Sequence, residues 1–196
     1  MVTDFEKQSY WHTRFATETS FEWLTSSPTF LTFVTPYLVS PAQRILHLGS
    51  GTSDLHAHLR AKGYLDVTNI DYEPLALTRG RQIEEDAFGD IQTKYLVADV
   101  TSLSVSLPAR SFDLVVDKST IDAVSCGGDD AVLSMARCVR ECLTADGVWI
   151  SLSFSATRFE LDGMPFTVDV LGKIPTPKRK PLDPDVFYWC YLLRAR

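Results

Sequence analysis

A chain of 196 residues, 45% apolar and 22% charged, has the length of one domain and enough apolar surface for an ordinary core without covalent staples. Its net charge of -6 offers no broad positive face, which argues against DNA or RNA as the main partner. Met1 to Ser20 holds no apolar run of signal-peptide length, and no stretch approaches the roughly 20 apolar residues of a membrane helix. A cytoplasmic protein without a membrane partner is therefore expected, with the nucleus as the alternative, and the short length makes a monomer the default.

The first 43 residues carry Phe5, Tyr10, Trp11, Phe15, Phe21, Trp23, Phe30, Phe33 and Tyr37, and are expected to form a helical cap. Within it, Ser27 followed by Pro28 reads as the cap and first turn of a helix, with Phe30 and Phe33 packing on the sheet edge. From Arg44 onward short β-rich runs alternate with helix-periodic stretches, the pattern of a parallel sheet with helices on both faces. "RILHLG" is the first strand. Ser53 can cap the next helix, whose Leu55 and Leu59 share a face and which Gly63 stops. "DVTNID" is the second strand, and Pro74 opens a helix through about Ala87.

"TKYLVAD" and "FDLVVD" are strands three and four. The acids Asp129 and Asp130 start a further helix whose Val132, Ala136, Val139 and Leu143 repeat on one side, and "DGVWISLS" is strand five. "PFTVDVLGK" and "DVFYWCYLLRA" are joined by a proline-laden loop with no room for a crossover helix, so they pair antiparallel. The expectation is an α/β, Rossmann-like, seven-stranded sheet of five parallel strands plus a C-terminal antiparallel hairpin, residues 44–196 forming the core of a single domain. "PKRK" at Pro177 to Lys180 reads as a solvated loop tip. Cys126, Cys138, Cys142 and Cys190 form no C-x-x-C pair and read as buried thiols, not metal ligands. His56 and His58, two apart on a helix, point to different sides and make no ligand pair either.

In open sheets of this kind ligands bind beyond the carboxyl ends of the strands, where strand order reverses. Strand one ends in Gly49-Ser50-Gly51, strand two in Asp71, strand three in Asp99 and strand four in Asp117. "GSGTSD" resembles a dinucleotide fingerprint but has Asp54 in place of the third glycine, which disfavours a pyrophosphate. Asp71 lies 22 residues after Gly49, the distance at which an acid reaches both hydroxyls of an adenosyl ribose. Asp99 is placed to accept from an adenine amino group, with Val100 beside the ring. Any one of these acids could be a turn cap; three at successive strand ends point to an adenosyl ligand without phosphates, S-adenosylmethionine.

The segments "SYWHTRFATETSFEWL", "HLGSGTSDL", "NIDYE", "VADVTSL" and "FDLVVDKSTIDAV" resemble successive motifs of the class I methyltransferases, and among these the elongation factor 1A lysine methyltransferases. The resemblance runs from about Ser9 to Leu152. It implies that Trp11, Phe15 and Trp23 fold over the cofactor, that Gly49 and Gly51 let its methionine part approach the backbone, that Asp71 and Tyr72 hold the ribose and adenine edge, that Asp99 and Val100 frame the adenine, and that Lys118 lies along the cofactor wall. Ser119 departs from the pattern, because these enzymes usually carry glycine there, and a positive φ at that point would strain the loop.

The polar knot "DKSTID" after strand four is then the expected floor of the transfer site, with Asp117, Thr120 and Asp122 beside the methyl group. A lysine acceptor with a solution pKa of about 10.4 must first lose its proton, at a cost of about 4 kcal/mol at pH 7.4. Desolvation helps this, whereas a carboxylate orients the ammonium but opposes deprotonation. The leading expectation is a protein lysine methyltransferase with elongation factor 1A as candidate substrate. The alternatives are a small-molecule N- or O-methyltransferase, or a catalytically silent cofactor-binding subunit. An open acidic groove at Asp117 and Asp122 would favour the first, and a closed apolar pocket the second.

Overall fold

In the computed structural model, which describes residues 4–178, 180 and 182–196, every expected strand forms. In chain order the elements are helices α1 (Gln8–Phe15) and α2 (Ser27–Val34), then β1 (Ile45–Leu48), α3 (Leu55–Ala61), β2 (Val67–Asp71), α4 (Pro74–Phe88) and β3 (Lys94–Val97). There follow β4 (Phe112–Lys118), α5 (Thr120–Ser125), α6 (Asp129–Cys142), β5 (Leu143–Ser153), β6 (Phe166–Pro175) and β7 (Phe187–Ala195). They form one seven-stranded sheet in the order β3-β2-β1-β4-β5-β7-β6. The first five strands are parallel, and the β6–β7 hairpin adds antiparallel to β5.

The central strands are buried on both sides, which is why they read as continuous apolar runs and not as alternating ones. One side packs Leu46, Leu48, Val115, Trp149 and Tyr191 against α5 and α6, through Ile121, Val132, Met135, Ala136 and Val139. The other packs Ile45, Leu114, Val116, Ile150 and Leu192 against Phe30, Leu31 and Val34 of α2 and Leu55 and Leu59 of α3. The register aligns the strand ends: Leu48 stands between Ile70 and Asp117, and Asp71 beside Val97.

Several local expectations shift. Ser26, not Ser27, caps α2, accepting from the Thr29 N–H at 3.4 Å, while Ser27 is buried and its hydroxyl donates to Glu22 at 3.0 Å. The backbone therefore enters the helix one residue earlier, and Pro28 takes the second helical position. Ser53 does accept from the Leu55 N–H, at 3.3 Å, although Asp54 is the residue flanking α3. Strand β5 begins at Leu143, before the expected Asp146. Of the thiols, Cys142 and Cys190 are buried, Cys138 is half-buried and Cys126 is exposed. Of "PKRK", Arg179 lies outside the described residues, while Lys178 pairs with Asp185 at 2.8 Å. Among the described residues no helix is long and apolar enough to cross a membrane, and no histidine, cysteine and carboxylate cluster could hold a metal.

Candidate functional site

The sheet reverses its order between β1 and β4, and at their carboxyl ends opens a cavity of about 580 Å³, within the range of small-molecule sites. Its floor is the loop after β1. Gly49 and Gly51 sit at φ +53° and +52°, and a Cβ on Gly49 would stand 2.4 Å from the Thr120 methyl, so a side chain there would collide as well as strain the turn. Asp71 at the end of β2 accepts from the Gly51 N–H and the Glu73 N–H, both at 2.9 Å, through different oxygens. Each oxygen keeps a lone pair for a ligand hydroxyl. Burial lifts this carboxyl to about 6, against the pull of the backbone N–H donors. Among the described residues Asp99 is bonded through Oδ1 alone, to the Thr101 N–H and hydroxyl, and it lines the cavity with Tyr72, Ala98 and Val100.

The N-terminal segment forms the roof. Trp11, Phe15, Phe21 and Trp23 line the cavity, and the Phe5 and Trp11 rings pack at a tilt of 36° with centroids 5.9 Å apart. Polar anchors hold this roof to the core: Gln8 donates to the Tyr72 carbonyl at 2.6 Å, the Thr52 hydroxyl donates to Glu18 at 2.8 Å, and the Asp54 N–H donates to Glu22 at 2.9 Å. Arg14 donates to Glu18 and lies over the Phe21 and Trp23 rings at 4.9 and 4.6 Å. The Lys118 amine completes the seam, donating to the Trp23 carbonyl at 3.0 Å and pairing with Glu22 at 2.7 Å. Burial pulls Lys118 below its ordinary value while Glu22 pulls the other way. Burial likewise pushes Glu22 up, but the Lys118 ammonium overrides it and leaves Glu22 below the usual carboxylate value.

The knot after β4 divides. Asp117 is 0% exposed, does not line the cavity, and accepts from the Trp149 indole N–H at 2.8 Å and the Ile121 N–H at 3.2 Å. Burial raises its carboxyl to about 7. Thr120 lines the cavity, but its hydroxyl bonds the Leu48 and Gly49 carbonyls at 2.9 and 3.2 Å, closing the gap that Gly49 leaves. Asp122 lines the cavity and is 6% exposed. It accepts from the Ser153 hydroxyl, the Phe154 N–H at 3.1 Å, the Ser119 hydroxyl at 3.1 Å and the Arg158 guanidinium at 3.0 and 3.1 Å. Burial still lifts it above the ordinary carboxylate value. Ser119 does adopt a positive φ, +72°.

Of the histidines, only His47 lines the cavity. It is buried, bonded to Asn69 at 3.1 Å, and burial drops it to about 3, so it is neutral. Residues that the sequence did not place at the site are the roof anchors Glu18 and Glu22 and the wall residues Glu6, Phe154 and Cys126, the last expected as a buried thiol. Phe154 follows directly on β5, so the strand-end rule extended to that strand would have found it. Glu18 and Glu22 also pair locally, with Arg14 and Ser27, but the bonds to Thr52 and Asp54 that tie them to the core span more than thirty residues and leave no local pattern.

The profile of the family described as "Methyltransferase domain" matches residues 46–150. The chain belongs to this family. It is similar along its whole length, at 52% identity, to "Methyltransferase srdJ" of Neurospora crassa, covering 86% of that protein. It is 30% identical to "EEF1A lysine methyltransferase 2" of Homo sapiens over 68% of this chain, and there it spans little more than half, 57%, of the relative. Among solved structures, a TehB-like SAM-dependent methyltransferase from Corynebacterium glutamicum shares the fold, with a TM-score of 0.61 at 16% identity over 85% of this chain and 87% of that one. The methyltransferase is thus an enzyme whose cofactor is S-adenosylmethionine, and the residues present fit it: Asp71 has spare lone pairs on the cavity wall, the Asp99 Oδ2 has no partner among the described residues, and the floor at Gly49 and Gly51 bears no side chain.

Proposed function

We propose that the protein transfers a methyl group from S-adenosylmethionine to a compact, largely apolar small molecule. The observation that carries this reading is the absence of a free carboxylate at the end of β4: Asp117 is enclosed in the core, and Asp122 is taken up by Ser119, Ser153, Phe154 and Arg158. A lysine ammonium entering there would meet no open acidic groove. It would meet instead Phe21 and Phe154, 43% and 58% exposed, on the same cavity. Large apolar side chains left in water beside a cavity mark a surface that meets an apolar partner.

The cofactor supplies an activated methyl group, so the protein's task is to orient, desolvate and hold protons. On this reading the described part of the first 43 residues, from residue 4, acts as a cap over the site. Gly49 and Gly51 receive the methionine part, Asp71 and Tyr72 the ribose and adenine edge, Asp99 and Val100 the adenine, and Trp11, Phe15 and Trp23 exclude water. Lys118 acts through its bonds to Glu22 and Trp23, holding the cap down, and does not itself touch the reacting atoms. Asp117 and Thr120, named from the sequence as catalytic, act as supports for α5 and the Gly49 loop, since their hydrogen bonds all run to the protein.

A second reading, protein lysine methylation with an elongation factor 1A-like substrate, is favoured by the similarity to lysine methyltransferases and by the exposed Glu6 carboxylate on the cavity wall. Incubation with methyl-tritiated S-adenosylmethionine and an extract of the source cells separates the two. Label in the soluble small-molecule fraction supports the proposal, and label in a single precipitated protein supports the second reading.

A further inference from the structure

The cavity presents mostly apolar surface, and its polar groups at the end of β4 are Lys118, Ser119, Thr120 and Asp122. Two of these are committed elsewhere: the Lys118 amine to Glu22 and the Trp23 carbonyl, and the Thr120 hydroxyl to the Leu48 and Gly49 carbonyls. Ser119 is different. It is a non-glycine residue at φ +72°, a conformation that costs about 1 to 2 kcal/mol and persists where the surroundings enforce it. Its hydroxyl donates to Asp122 Oδ2 at 3.1 Å, so its own lone pairs remain to accept a hydrogen bond from the cavity. Behind it Asp122 is held in place by donors, the Ser153 hydroxyl and the Arg158 guanidinium, which fall on its Oδ1 and leave Oδ2 to Ser119 and the Phe154 N–H.

We propose that Ser119 receives the proton of the acceptor and passes its own to Asp122, and that the acceptor's nucleophile is therefore a hydroxyl group, of a phenol. This rests on the small-molecule reading above and names its substrate class. As the acceptor oxygen bonds to the methyl carbon, the carbon–sulfur bond breaks and its electron pair stays on sulfur, which becomes a neutral thioether. The O–H proton moves to Ser119 Oγ, and the Ser119 proton moves to Asp122 and from there to water. The charges balance: a sulfonium and a carboxylate become a thioether and a carboxylic acid.

A single-proton donor suits this wall. An ammonium brings three donors, and the Ser119 oxygen is one acceptor, whereas a phenol brings one. A phenol, with a pKa of about 10, is also within easier reach of a carboxylate base than an aliphatic alcohol. Phe21 and Phe154 on the same cavity offer its ring aromatic surface to pack against.

The test uses the full chain with methyl-tritiated S-adenosylmethionine and a panel of monohydric phenols, each matched with the corresponding aniline. The wild type is expected to label phenols in preference to anilines. Ser119→Gly, which relieves the φ strain, and Ser119→Ala, which keeps it, should both lose about 10²- to 10⁴-fold in kcat/KM, the usual worth of general base catalysis. Ser119→Gly should bind S-adenosylhomocysteine within twofold of the wild type and melt no lower, a combination that a merely structural serine would not give. Full activity of either variant on phenols overturns the relay. Anilines labelled as well as phenols, or neither labelled, overturn the hydroxyl assignment. Label on protein in the extract experiment overturns the small-molecule reading itself.

Discussion

The ends of β2 and β4 look alike in sequence, each an apolar strand closed by an aspartate, and they do opposite things. Asp71 is buried, yet it stands on the cavity wall with one N–H on each oxygen and room for further donors. Asp117 is buried with its oxygens on the Trp149 indole and the Ile121 N–H, facing α5 and α6 and not the cavity. Side chains alternate sides along a strand. In β4 this puts Val115 and Asp117 on the α5 and α6 side, and Val116 on the α2 and α3 side. The cavity also reaches the α5 and α6 side, so what separates the two acids is cover: Trp149 and the start of α5 close over Asp117, and among the described residues nothing comparable closes over Asp71.

The largest effects should come from breaking that contrast. Asp71→Ala should lower S-adenosylhomocysteine affinity at least 100-fold in calorimetric titration, because it removes the acceptors proposed for the ribose and releases the Gly51 N–H. Asp117→Ala should instead destabilise the fold by about 2 to 4 kcal/mol in urea denaturation, since it leaves the Trp149 and Ile121 N–H donors buried and unpaired. The folded fraction of that variant should bind cofactor like the wild type.

The pH dependence sharpens the same point. Asp117 is raised to about 7 and Asp71 to about 6, so the folded state holds protons that the unfolded chain has released above about pH 4. The stability these carboxyls give is present in full below the unfolded value and is lost as pH rises through 6 and 7. Denaturation midpoints of the wild type at pH 5 and pH 8 should show that loss, and Asp117→Ala should show less of it.

The roof gives a smaller effect. Lys118→Met removes the bonds to Glu22 and the Trp23 carbonyl, and should weaken S-adenosylhomocysteine binding about tenfold, mainly through faster dissociation in stopped-flow measurements. Thr120→Val should cost least, about 1 kcal/mol of thermal stability, because the isosteric side chain still fills the space beside Gly49.

The sheet was legible because periodicity, strand ends and turn residues agree along the core, from the glycines after Leu48 to the hairpin that has no room for a crossover helix. The cavity wall at the ends of β1, β2 and β3 was legible for the same reason, since the switch-point rule brings Gly49, Asp71 and Asp99 to it without any side-chain detail. The wall at the end of β4 was not. Whether Asp117 and Asp122 stand open depends on Trp149, Ser153 and Arg158, more than thirty residues away, and such pairings leave no local pattern. The roof was half legible: its aromatic content was plain, but the clasp of Glu22 and Lys118 was not.

The most direct test is a calorimetric titration of S-adenosylhomocysteine into the wild type, Asp71→Ala and Asp117→Ala, at a temperature where all three are folded by circular dichroism. The prediction is lost binding in Asp71→Ala and unchanged affinity in Asp117→Ala. Equal losses in both, or retained affinity in Asp71→Ala, would contradict the division of the strand ends into one that binds cofactor and one that holds the fold.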